Sequence, residues 1–162
     1  MITPAYLASC FSRNLWIIKQ QTAGLSHGDS LVQLPFRANC MNWILGHLIV
    51  NRNLIFNLLG AEPILDPDAV IRYDRETEPI ISDEPGVLPL EQLLATFEQS
   101  QAHLETILST LTPNELERQV ALFGRRSMSV AEWLLFLYFH ETYHTGQTEI
   151  MRQAAGKDDK VL

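Results

Sequence analysis

Five residues near the C-terminus, His140-Glu-Thr-Tyr-His144, have the types and spacing of a metal site. Histidines four apart on an α-helix lie about 40° apart around it and one turn along it, so both imidazoles can reach a single ion. Burying two imidazoles this close requires a shared partner, either a metal or a carboxylate. The same string fits H-E-x-x-H, in which the glutamate would be the general base of a metalloprotease.

A zinc-type site needs at least one more protein ligand. The best candidate is His47, in the segment NWILGHLIVN, which lies on or beside the apolar stripe of its own helix. In a helix bundle, ligands from facing helices project inward and meet. Three histidines from two helices would leave coordination positions open for water or substrate, the pattern of a catalytic site. His27, in a Gly/Asp-rich loop, and His103, isolated on another helix, read as ordinary hydrogen-bonded residues.

The protease pattern is incomplete. After His144 the chain continues TGQTEIMRQ, with a glycine one place too early and no further histidine. Glu149 is the sole remaining glutamate, and no strand offers an edge to an extended peptide. A protease is therefore disfavoured. Glu141 is left as a carboxylate behind the ligands, a rim residue or a solvated side chain.

Four long helices can hold these residues. The first runs from about Pro4 to Ala23, with Thr3 as cap, Pro4 at the first helical position and Gly24 as stop. The second runs from about Cys40 to Leu59, with Asn39 as cap and Gly60 as stop. The third runs from about Pro89 to Leu111, with leucines, Phe97 and Ile107 in one stripe. The fourth starts at the capping-box sequence Ser129-Val-Ala-Glu132 and ends before Gly156. A shorter helix follows Thr112-Pro113. No segment alternates as a half-buried strand does. The expected fold is all-α: a four-helix bundle with a long crossover connection between helices 2 and 3, and residues 1–162 as one domain. That connection, residues 61–88, holds eight of the acids. It either covers one end of the bundle and walls a pocket or is a solvated crossing.

Neighbours of the histidines fall on the same faces. Trp43 precedes His47 by four residues, Asn51 follows it by four, and Gln147 lies two turns beyond His140. Each could line a pocket. Core packing is the alternative for Trp43, surface exposure for Asn51, and a structural hydrogen bond between helices for Gln147. Arg152 offsets the dipole at its helix C-terminus.

The net charge of −7 argues against nucleic acid, which demands clustered basic residues. The pair Arg125-Arg126 reads as a solvated turn. Cys10 and Cys40 form no disulfide framework and are expected as buried, reduced thiols. No signal peptide or membrane span is legible, so the cytoplasm is the expected location.

The string His140-x-x-x-His144-x-Gly146-Gln147-x-x-x-x-Arg152-x-x-x-Gly156, together with the W-x-x-G-H-L segment around His47, resembles the DinB-like (damage-inducible) metalloprotein superfamily. The resemblance covers nearly the whole chain. It implies a divalent metal held by His47, His140 and His144, and a homodimer packed through bundle helices. It also implies a small-molecule substrate, with a low-molecular-weight thiol such as bacillithiol or mycothiol as co-substrate in S-transfer or isomerisation. Hydrolysis and non-catalytic metal or ligand binding are the alternatives. Zinc, nickel and iron suit imidazole ligands alike.

Overall fold

A computed structural model describes residues 3–124 and 127–161; Arg125 and Arg126 lie outside the described residues. The chain forms helices α1 (Pro4–Thr22), α2 (His27–Ser30), α3 (Met41–Leu58), α4 (Leu90–Thr110), α5 (Pro113–Glu117) and α6 (Val130–Ala154), with strands β1 (Gln119–Val120) and β2 (Met128–Ser129). The long helices α1, α3, α4 and α6 make the bundle. α1 and α3 each pack against both α4 and α6. No helix among the described residues is long and apolar enough to cross a membrane.

Local chemistry accounts for most helix ends. The Thr3 hydroxyl accepts the Tyr6 backbone N–H, and Pro4 opens α1. Ser129 and Glu132 form the reciprocal box at the start of α6, and Thr112 and Glu115 do the same for α5. Gly24, Gly60 and Gly156 follow α1, α3 and α6 with positive φ.

Two expectations are corrected. α3 starts one residue later than expected, with Cys40 rather than Asn39 in the cap position and no side-chain cap bond. Its first turn is held instead by burial of Met41, Asn42, Trp43, Ile44 and Leu45. The second correction is the two-residue antiparallel pairing of β1 and β2, too short to leave an alternating pattern. It is tied to α6 by Trp133, whose indole N–H donates to the Val120 carbonyl at 2.8 Å.

The core is split into two apolar clusters. One contains Ile18, Ile44, Leu48, Leu93 and Phe97, and the other Phe11, Phe56, Leu104, Trp133 and Leu137. A buried hydrogen-bonded layer takes one member from each bundle helix: Asn14 from α1, Arg52 from α3, Gln101 from α4 and Glu141 from α6. Arg52 donates to Glu141 through Nε (2.6 Å) and Nη2 (3.0 Å), and Nη2 also reaches Gln101 Oε1 at 3.1 Å. Asn14 Nδ2 donates to the other face of the pair, Glu141 Oε1, at 3.2 Å. Phe11 and Phe97 sandwich the guanidinium, their ring centroids 4.7 and 4.8 Å from Cζ.

The 61–88 connection is not a loose crossing. It contains a 3₁₀ segment, Pro67–Tyr73, and buries Val70, Tyr73 and Ile80 against the bundle. Asn53 of α3 bonds the backbone of both Ile64 and Leu65, and the Tyr73 hydroxyl donates to Asn42 Oδ1 at 3.0 Å. Tyr73 lies flat on α3 because residue 46 is glycine. A Cβ there would sit 2.1 Å from Tyr73 Cδ1, far inside van der Waals contact. Arg72 bonds Glu84 and the Glu78 carbonyl, which closes the connection on itself. Together these contacts fix the backbone at Tyr73 beside α3.

Candidate metal centre

His47 on α3 and His140 and His144 on α6 converge. One ring nitrogen from each can be chosen so that all three lie within 4.8 Å of one another. The Nε2 atoms of His47 and His140 are 3.3 Å apart. The Trp43 indole stacks on the His47 ring, with centroids 4.5 Å apart and planes 12° apart. Trp43 is itself 95% removed from solvent, so it packs the core on one side and the His47 ring on the other.

The hydrogen bonds fix two tautomers. His47 Nδ1 lies 2.9 Å from the Tyr73 carbonyl, an obligate acceptor, so Nδ1 carries the proton and Nε2 keeps its lone pair free. His144 Nδ1 is 2.7 Å from Gln147 Oε1, which sets the same tautomer. Metal-binding histidines have this arrangement: an outer acceptor on one nitrogen orients the ring and makes the other more basic. Gln147 therefore acts within α6, on the ring three residues before it, and not as a bond between helices. Asn51 Nδ2 donates to the Leu137 carbonyl at 3.3 Å and ties α3 to α6 below the cluster.

All three imidazoles are poor bases here. Burial pushes His140 and His144 down to about 4, and for His140 the neighbouring histidines add to the effect. Burial lowers His47 as well, against the opposing Tyr73 bond. At neutral pH the cluster is uncharged, the form in which imidazole binds a cation. The fit has a further sign. His140 Nδ1 is buried with no partner, and its Nε2 faces the unprotonated Nε2 of His47. With its proton on Nδ1, His140 would turn a second lone pair toward that of His47, and a cation between the two Nε2 atoms would satisfy both.

Glu141 takes no part in the cluster. It is fully buried in the ion pair with Arg52, so H-E-x-x-H here lacks an available general base. Arg152 stands in the last turn of α6, as expected. Its guanidinium bonds the Gln21 and Ala23 carbonyls at the end of α1 and forms a fork with Asp159. His27 accepts the Leu90 backbone N–H, and His103 stands edge-on to Phe56, so both are structural.

Two cavities flank the cluster. A cavity of about 290 Å³ has His47, His140 and Asn51 in its wall. A larger one, about 670 Å³, lies beside Trp43 and Gln147. Arg75, from the 61–88 connection, borders both. Sequence reasoning missed Tyr73 and Arg75 as site residues. The signal available was Gly46, whose lack of a side chain admits Tyr73, but nothing local says which residue fills the space.

Fold and site together define a four-helix bundle carrying a partly buried three-histidine cluster beside a cavity. The chain belongs to the DinB superfamily, whose family model matches residues 32–148. A solved structure described as a conserved protein of locus from Enterococcus faecalis has the same fold. Its TM-score is 0.74 at 14% identity, covering 96% of this chain and 98% of that one. Among curated proteins none matches this chain in sequence. Family membership and the histidine cluster are compatible with metal binding.

If the cluster holds a metal, Gln147→Ala removes the outer partner of one ligand. Metal affinity should then fall roughly 10–100-fold. Competition titration against a chromophoric chelator measures this, and an unchanged affinity would remove Gln147 from the site.

Proposed function

We propose that the protein is a divalent-metal-dependent enzyme in which His47, His140 and His144 hold the ion, and that it transfers a low-molecular-weight thiol to a small-molecule substrate. The observation that carries this reading is the convergence of three neutral imidazoles from two helices, with no fourth ligand among the described residues and a cavity beside them. A cation held there would keep its net positive charge and favour the deprotonated form of a thiol or water brought next to it.

The residues around the cluster support such chemistry. Trp43 and the Tyr73 backbone hold His47 rigid, and Gln147 does the same for His144. Neither cysteine is placed to be the nucleophile. Burial pushes the Cys40 thiol up, and Cys10 sits on α1, which lines neither cavity. A reacting thiol would therefore arrive as a co-substrate. The homodimer implied by the family has a candidate face in Leu135, Phe139, Tyr143 and Ile150, exposed along one side of α6.

Incubating zinc-, nickel- or iron-loaded protein with a small thiol and 1-chloro-2,4-dinitrobenzene tests the proposal. Free thiol should be consumed, with chloride released, faster than with metal-free protein. Metal-dependent ester hydrolysis without thiol consumption would favour a hydrolase. Inactivity in both assays of a metal-loaded protein would favour a non-catalytic binding role.

A further inference from the structure

The smaller cavity has a chemical character of its own. Val50, Leu54, Phe136 and Leu137 supply apolar walls, and His47 and His140 of the cluster line it as well. A dry cavity of about 150 Å³ accommodates benzene, so about 290 Å³ accommodates an aryl or branched aliphatic group with a short tether. Phe123 borders the cavity with φ of +57°, a conformation a bulky residue adopts only where the surroundings impose it. Strain of this kind gathers at ligand sites.

Arg75 lines both this cavity and the larger one. Its side chain is exposed and makes no hydrogen bond or ion pair with the described residues, although Glu76 and Glu78 line the larger cavity with it. Asp74 also borders the cavity, but its Oδ1 accepts the Arg75 backbone N–H at 2.7 Å. The guanidinium is left as a free, forked donor suited to a carboxylate.

We infer that the smaller cavity takes the apolar group of a small aryl or branched-alkyl carboxylate, and that Arg75 binds the carboxylate. Naming this ligand a substrate rests on the proposed function; its binding does not. An apolar group seated between α3 and α6 would bring the rest of the molecule past His47 and His140.

Calorimetry with 3-phenylpropionate, 3-phenylpropanamide and 3-phenylpropylamine tests this, on metal-free and zinc-treated protein. The carboxylate should bind more tightly than the amide, and the amine least. Arg75→Gln should weaken the carboxylate roughly five- to tenfold and leave the amide within about twofold. Leu54→Trp, which fills the cavity, should weaken all binding. Because Arg75 is exposed, its variant tests the inference even if the tryptophan variant folds poorly. Equal carboxylate affinity in wild type and Arg75→Gln, or preference for the amine, overturns the inference. Arg75-dependent binding by a protein that takes up no zinc would leave it standing while the metal reading fails.

Discussion

Glu141→Ala protein will be less stable than wild type by roughly 3–5 kcal/mol, because the Arg52 guanidinium is left charged and unpaired in the core. Both side chains are fully buried, so bulk solvent does not reach the guanidinium to replace the lost carboxylate. In a domain of this size the melting temperature should drop by about 10 °C. Replacing the pair together, Arg52→Met with Glu141→Leu, should recover most of the loss, since apolar groups of similar volume cost no charge desolvation. Denaturant unfolding of the two variants measures both effects. Folded Glu141→Ala should keep the metal content of wild type. A variant that kept its stability but lost metal or hydrolytic activity would return Glu141 to the metal centre.

His47→Ala has the opposite profile. Wild type purified without a histidine tag should carry about one divalent ion per chain, and the variant should carry none. His140 and His144 remain on one face of α6, but two imidazoles with open positions around them do not retain an ion through purification. The loss should exceed the roughly 10–100-fold expected for an outer hydrogen-bond partner. Helicity should persist, because two apolar clusters and the polar layer hold the bundle without the cluster. Elemental analysis and circular dichroism of the same sample check the pair of statements. Metal bound equally by variant and wild type would break the link between α3 and α6 on which the proposed function depends.

The buried layer of Asn14, Arg52, Gln101 and Glu141 also bears on register. Each member comes from a different helix, so sliding any one helix by a turn would break that helix's bonds to the layer. His140 directly precedes Glu141, and the Arg52 contact to Glu141 sets the rotation of α6 relative to α3. The pairing that disqualifies Glu141 as a base thereby orients the histidine beside it.

The histidine spacing, the capping sequences and the terminal glycines determined by themselves that four long helices form and that His140 and His144 share a face. They did so because helical periodicity, N-capping and positive-φ stops are local: each is decided within a few residues of chain. His47 could be paired with α6 by its position on a core-facing stripe and by family resemblance. Only the tertiary structure decided which way Glu141 points, since its direction about 100° from His140 is compatible with cluster, core or solvent until the neighbours are known. Only the packing of the 61–88 connection against Gly46 brought the Tyr73 carbonyl to His47 and Arg75 to the cavity. Those contacts join residues 26 or more apart in sequence, with no periodic pattern between them. No local rule reaches across that distance.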